Sequence, residues 1–159
     1  MFEDLKKAFD SVNHVRLWAK LHVLGAPPYL IKNLTVFYKT LSLRMKLNEG
    51  LSQPIKITKG VLQGDPHSTL LFILFLSDLP HYMQSRHALK MQGKTFKLLI
   101  YADDIVMFSL SIQLLNKALK ILHRYLTINR LTLNPDKSKA IIFWEKNTSI
   151  PPPMSSTIT

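Results

Sequence analysis

The sequence predicts an α+β fold in which hairpins form an antiparallel sheet and helices pack against it. Three observations carry this. Residues 43–57 and 98–108 are rich in β-forming residues interrupted by short turn signals, the pattern of hairpins. Ile112, Leu115, Leu119, Leu122 and Leu126 recur at intervals of 3 and 4, the period of an amphipathic helix. Hydrophobic residues make up 47% of the 159, which allows a packed core and argues against wholesale disorder.

The elements follow in chain order. Residues 1–4 read as the end of a strand. Arg16 to Leu24 places Leu17, Leu21 and Leu24 at helical spacing, and Gly25 is a natural stop. Pro27-Pro28 restarts the chain into a second helix carrying Leu30, Ile31, Leu34, Phe37, Tyr38 and Leu41. Leu43, Met45 and Leu47, a turn at Asn48-Glu49-Gly50, then Ile55 and Ile57 read as a hairpin. "GVLQGDP" (60–66) is a Gly-punctuated loop, and Ser68 to Met83 reads as a buried helix with Ser68 or Thr69 near its N-cap. Ser85 to Thr95, polar and basic, reads as a connection. Leu98 to Ala102 and Ile105 to Phe108 read as strands joined by a two-residue turn at Asp103-Asp104. After the long helix, "LTLNPDKSKAIIFW" (131–144) reads as a strand, a turn at Asn134-Pro135-Asp136 and a second strand. A single domain over residues 1–146 and a flexible Pro/Ser/Thr-rich tail over 147–159 are expected.

Charge and composition narrow the function. Lys and Arg number 21 against 10 Asp and Glu, a net charge of +11 that favours a polyanionic partner. Nucleic acid comes first and an acidic membrane surface second. The chain has no cysteine, which excludes disulfides, a disulfide-linked partner and thiolate metal sites. A metal here is held by oxygen or imidazole, which suits Mg²⁺ or Mn²⁺. The longest apolar run, Leu70 to Leu76, is too short to span a bilayer. Glu3 and Asp4 stand where a signal peptide carries positive charge, so an intracellular location, nucleus or cytoplasm, is expected.

The stretch "KLLIYADDIVMF" (97–108) sets Asp103 and Asp104 side by side between apolar runs. Adjacent like charges raise one another's pKa unless a cation lies between them. As turn residues they have an ordinary explanation, because Asp bonds nearby backbone and tolerates unusual dihedrals. Neighbours on a strand face opposite ways, so two adjacent aspartates reach one site only from a turn. Holding two divalent ions for phosphoryl displacement needs a further carboxylate from another element. "EDLKKAFD" (3–10) offers Asp4 at a strand end, although Asp4 or Asp10 also suits a helix cap.

The ordered blocks "DLKKAFDSVNH", "GVLQGDPHSTLLFILFLSDL", "YADD" and "LTLNPDKSK" resemble the palm of a reverse transcriptase, closest to the non-LTR (LINE-type) retrotransposon enzymes. The similarity runs from Phe2 to about Phe143. It implies a polymerase palm with an antiparallel sheet on helices, two Mg²⁺ ions (Mn²⁺ as a substitute), and an RNA template, DNA primer and dNTP as partners. It implies that Asp4 and Asp103 bridge the ions and that Asp104 engages them less directly. The Leu5 carbonyl would be a further ligand. Phe9 falls at the steric gate against the sugar 2′ position, where a hydroxyl separates ribonucleotides from deoxyribonucleotides. Gln63 and Gly64 match the loop along the incoming nucleotide and template, Tyr101 supports the primer end, and Lys137 assists the pyrophosphate leaving group. Read alone, Gln63 is an ordinary loop residue, Tyr101 a packed strand aromatic, and Lys137 with Lys139 a solvated face.

Several positions depart from the family's pattern. Glu3 stands where an apolar strand residue is usual, putting a charge beside the expected metal site. His67 and Thr69 stand where Leu and Pro are usual, Ile73 where Asn is common, and Arg130 where a glycine normally ends the long helix. That leaves Asn129 as the expected left-handed cap. The chain starts at the first palm block, so it is expected to be a fragment with incomplete fingers and without a thumb. Two functions are carried forward. One is an RNA-directed DNA polymerase domain performing two-metal nucleotidyl transfer to a primer 3′-OH. The other is an inactive retroelement remnant that at most binds nucleic acid non-specifically.

Overall fold

The computed structural model describes residues 1–48, 50–83 and 88–143. Its elements run β1 (Phe2–Asp4), α1 (Ala8–Ser11), α2 (His14–Val23), α3 (Pro28–Thr40), β2 (Ser42–Leu43), β3 (Lys46–Leu47), β4 (Gly50–Leu51) and β5 (Ile55–Lys56). There follow α4 (Pro66–Leu76), α5 (Leu79–Tyr82), β6 (Leu89–Met91), β7 (Lys94–Phe96), β8 (Leu98–Tyr101), β9 (Asp104–Met107) and α6 (Ile112–Asn129). The expected mixture of helices and antiparallel strands is present. The expected boundary at 146/147 lies outside the described residues.

The central sheet has the order β1-β9-β8, all antiparallel. Phe2 faces Val106, Glu3 faces Ile105 and Asp4 faces Asp104. Residues 132–139 add a further edge to β1 through backbone bonds: Lys6 N–H to the Thr132 carbonyl (2.8 Å), Asn134 N–H to Asp4 (2.8 Å) and Lys139 N–H to Phe2 (2.9 Å). The two strands expected in 131–144 are therefore met as bridges, Leu5 to Leu133 and Phe2 to Lys139, on either side of a turn. Pro135, which lacks an N–H, interrupts a regular ladder there.

The helices cover this sheet because their apolar faces require it. Phe72, Phe75 and Leu76 of α4 are fully buried beside Leu17 of α2, Ile105 and Met107 of β9, and Leu122 and Leu126 of α6. A polar network ties three helices at one edge of that core. Lys20 Nζ donates to the Phe75 carbonyl (2.6 Å), Asp78 Oδ1 (2.7 Å) and Tyr125 Oη (2.8 Å), and the Tyr125 hydroxyl donates to Asp78. Burial pushes the Lys20 pKa down, opposed by Asp78, and pushes the Tyr125 pKa up, reinforced by Asp78. With its three donors met, this ammonium is satisfied although largely withdrawn from water.

Several expectations are corrected. The buried helix begins at Pro66, not Ser68, with Asp65 as N-cap accepting from the His67 N–H (3.2 Å), and Ser68 is buried. Proline suits the first helical position because its missing N–H is unpaired there anyway. The helix then breaks at Ser77-Asp78, where Pro80 restarts it as the short α5. The 85–95 stretch is not a plain connection: β6 and β7 form a hairpin whose turn residues, Gln92 (φ 49°) and Gly93 (φ 74°), are both left-handed. Two positive φ angles match a type I′ turn. The α6 cap is Arg130 (φ 59°), whereas Asn129 is the last helical residue, buried, its Nδ2 donating to the Tyr125 carbonyl (2.9 Å). Burying the amide on a satisfied bond moves the left-handed position one residue on.

The 43–57 hairpin is two short ladders, β2 with β5 and β3 with β4. Leu43 pairs with Ile55, yet Lys46 pairs with Leu51, so one strand carries an extra residue in the segment containing Pro54. Glu49 of its expected turn lies outside the described residues. Glu3, expected beside the metal site, is instead 1% exposed and turned into the core on the face opposite Asp4, as strand alternation dictates.

Candidate active site

The β8–β9 hairpin sets the site. Its two-residue turn is Ala102-Asp103, one position earlier than expected, and Asp104 opens β9 opposite both Tyr101 and Asp4. Ala102 has φ 52°, a conformation that costs a Cβ-bearing residue energy and that the surrounding ladder holds in place. Placing Asp103 in the turn frees its side chain from strict alternation. Tyr101 is 84% exposed at the strand end.

A cleft of about 310 Å³ is lined by Phe9, Gln63, Gly64, Thr69 and Asp103. These residues come from four parts of the chain, and backbone bonds explain how they meet. The segment after β1 and the loop before α4 are laced together by Gly60 N–H to the Val12 carbonyl and Val61 N–H to the Phe9 carbonyl, both 2.8 Å. His14 Nε2 meets the Gly60 carbonyl at 2.7 Å, and Gln63 Nε2 makes a long contact of 3.5 Å to Asp10 Oδ1. Phe9 is fixed by stacking on Phe72, with ring centroids 4.8 Å apart. Gly64 holds φ 89° with open space where a Cβ would stand, so glycine serves backbone conformation there.

Gly60 is under tighter constraint. At φ 88°, a Cβ would lie 2.9 Å from the Asp10 Cα and carbonyl oxygen, which are backbone atoms. Gly60→Ala is therefore expected to destabilise the chain by about 1–3 kcal/mol. Urea denaturation reads this, and an unchanged midpoint would show that the two segments separate without cost.

Asp4 sits at the end of β1 and is not among the residues lining the cleft. Its Oδ2 accepts from Asn134 Nδ2 (3.0 Å) and lies 3.9 Å from Lys137 Nζ. Lys137 is brought there by the 134–138 turn, in which Lys137 N–H (3.2 Å) and Ser138 N–H (3.0 Å) bond the Asn134 carbonyl. A pair at that distance whose lysine is exposed contributes little stability. The buried Leu5 follows Asp4 and bridges to Leu133. Thus Phe9, Gln63, Gly64 and Asp103 share one cleft, Asp4 and Asp104 oppose each other across β1 and β9, and Lys137 approaches Asp4. Tyr101 and Leu5 flank them.

Three contributors escaped sequence reasoning. Thr69 lines the cleft, Asn134 holds Asp4, and His14 holds the loop carrying Gln63. Only Asn134 had a readable signal, as the turn residue before Pro135.

Among the described residues, no three His, Asp or Glu side chains form a ready-made metal cage. Aspartates from two elements nonetheless supply an all-oxygen donor set near one hairpin, the chemistry hard divalent cations require.

Residues 1–151 match the reverse transcriptase (RNA-dependent DNA polymerase) family, and the chain is a member of it. It is 31% identical over 138 residues to the retrovirus-related Pol polyprotein of a type-2 retrotransposable element of Drosophila melanogaster, covering 84% of this chain. It is 32% identical over 132 residues to a probable RNA-directed DNA polymerase from a Drosophila melanogaster transposon, covering 80% of this chain. An uncharacterized 149 kDa transposon protein of Xenopus laevis is 26% identical over 153 residues, or 94% of this chain. The chain spans 13%, 14% and 12% of these three proteins respectively. Several of its relatives are Pol polyproteins of retrotransposable elements, of the non-LTR kind.

Proposed function

We propose that this chain is the palm portion of an RNA-directed DNA polymerase, joining a dNTP to a primer 3′-OH opposite an RNA template. The observation that carries the reading is the meeting of Asp103, Phe9, Gln63 and Gly64 around one cleft from distant parts of the sequence. Asp4 and Asp103 would hold two Mg²⁺ ions, or Mn²⁺, with Asp104 beside them and the Leu5 carbonyl as a further ligand. Bound there, the ions would supply charge stabilisation to the attacking and leaving oxygens. The chain's own residues do the rest. Phe9, clamped on Phe72, blocks space beside the sugar. Gln63 and Gly64 lie along the nucleotide and template, Tyr101 presents an exposed ring to the primer end, and Lys137 offers its ammonium to the departing pyrophosphate. Asn134 orients Asp4 by donating to it.

The competing reading, an inactive remnant, shares the charge but not the need for the carboxylates. Both allow nucleic-acid binding; they part over the aspartates. The net charge of +11 gives an expected loss of affinity linear in log salt, with little sequence preference. Fluorescence anisotropy with a single-stranded RNA at rising KCl reads that slope, and no binding at low salt would overturn the polymerase reading. Mn²⁺ titration followed by EPR separates them: wild type takes up the ion, while Asp4→Asn with Asp103→Asn does not. Equal uptake by the two would remove the metal assignment.

A further inference from the structure

The hairpin formed by β2, β3, β4 and β5 carries chemistry that the cleft does not use. Both of its faces are open. Leu43, Met45, Leu47, Leu51 and Ile55 are each 49–65% exposed, and Arg44, Lys46 and Lys56 are exposed beside them. A two-stranded ribbon with neither face packed is marginal in water. Its side chains therefore await a partner rather than support a core. Cations also outnumber acids along this part of the sequence: between Asp10 and Asp65 the only acidic residue is Glu49. None of the three ion pairs among the described residues involves a hairpin cation.

Position adds a second argument. The strand β5 leads through Lys59 directly into Gly60, which is bonded to Val12 and His14, and from there to Gln63 and Gly64 at the cleft. The hairpin thus rises from the rim of the site on a short, anchored stem. A polyanion that leaves the cleft along that loop meets the hairpin next.

We propose that this hairpin is a docking surface for single-stranded nucleic acid outside the cleft, with Arg44, Lys46 and Lys56 on phosphates and Leu43 and Ile55 against unstacked bases. The register supports the division: Leu43 and Ile55 oppose each other on one face, and Lys56 opposes Ser42 on the other. Only a single strand offers both charged backbone and uncovered base faces, whereas a duplex hides the latter. The inference rests on the nucleic-acid reading above, and the test separates the two.

The experiment is anisotropy on the whole chain with a single-stranded RNA of about 20 nucleotides and a duplex of equal length, over a range of KCl. Arg44→Ser with Lys46→Ser and Lys56→Ser is expected to weaken single-strand binding at least about 10-fold. It should also flatten the salt slope by about 2, the value for three lost phosphate contacts at ~0.7 each. Lys117→Ser with Lys120→Ser and Arg124→Ser on α6, all exposed, is the charge-matched control and should change the slope by less. Leu43→Ser with Ile55→Ser should weaken single-strand binding and leave duplex binding unchanged. Thermal melts of all variants should match wild type, because every altered side chain on the hairpin is exposed. If wild type binds no nucleic acid, the polymerase reading fails and this inference with it. If wild type binds and the hairpin cations act no differently from the α6 control, only the inference fails. If the apolar pair proves silent toward RNA, the apolar face belongs to a protein partner and the assignment is overturned.

Discussion

Asp103→Ala in a parent-length protein is expected to abolish primer extension on a poly-rA template, lowering it by at least about 100-fold. In the proposed reading Asp103 is the one carboxylate that both lines the cleft and sits in the hairpin turn. Nucleotidyl transfer of this kind depends on positioning and charge stabilisation, so losing a metal-bridging carboxylate removes the main contribution. Asp104, displaced onto β9 opposite Asp4, cannot take over from the turn. The 159-residue chain alone is expected to extend a primer little or not at all with Mg²⁺ or Mn²⁺. It spans only 13% of the Drosophila Pol polyprotein it resembles. Full extension by the Asp103→Ala parent would place the chemistry elsewhere, and robust extension by the isolated chain would refute the fragment reading.

The second large effect is a gain. Glu3→Leu is expected to stabilise the fold by about 1–4 kcal/mol at neutral pH. Glu3 is buried against the core face of β1, and neither carboxylate oxygen has a hydrogen-bond partner. Burial pushes its pKa up, against smaller opposing effects from Ser138 and the Met1 ammonium. The Ser138 hydroxyl is engaged by the Asn134 carbonyl at 2.9 Å, so it offers the carboxylate little. Met1 donates to the Met107 carbonyl at 2.7 Å. The sign follows from linkage. With its folded pKa raised above the unfolded one, Glu3 retains a proton in the native state that the unfolded chain has released. Stability is therefore highest below the ordinary carboxylate range and falls as pH rises through the raised pKa. Urea midpoints measured across mildly acidic to neutral pH should decline for wild type, and Glu3→Leu should remove that part of the decline. A leucine variant less stable than wild type at neutral pH would show that Glu3 has a partner after all.

Local chemistry was readable where a period or a cap announced it. The α6 stripe, Pro28 at the start of α3 and Gly25 (φ 83°) after α2 follow from side-chain spacing and backbone preference alone. Boundaries were lost where two local signals competed. Asp65 and Ser68 both suit an N-cap, and the winner was the residue that leaves Ser68 free to be buried. The β6–β7 hairpin was missed because Gln92 is a poor advertisement for a left-handed turn.

The sequence by itself determined the mixture of helices and hairpins, the reverse transcriptase family and the candidates Phe9, Gln63, Gly64 and Asp103 that meet at the cleft, because motifs and periods are written in neighbouring positions. Tertiary structure alone decided which residues meet. It turned Glu3 inward and Asp4 outward, moved the two-residue turn to Ala102-Asp103, set Asn134 on Asp4, and brought Thr69 to the cleft. All but the placing of Thr69, which rides on α4, depend on strand register, and a slip of one residue sends every side chain to the other face. Register is chosen by the burial of the whole core and by pairings between residues as far apart as Asp4 and Asn134, which no local window contains.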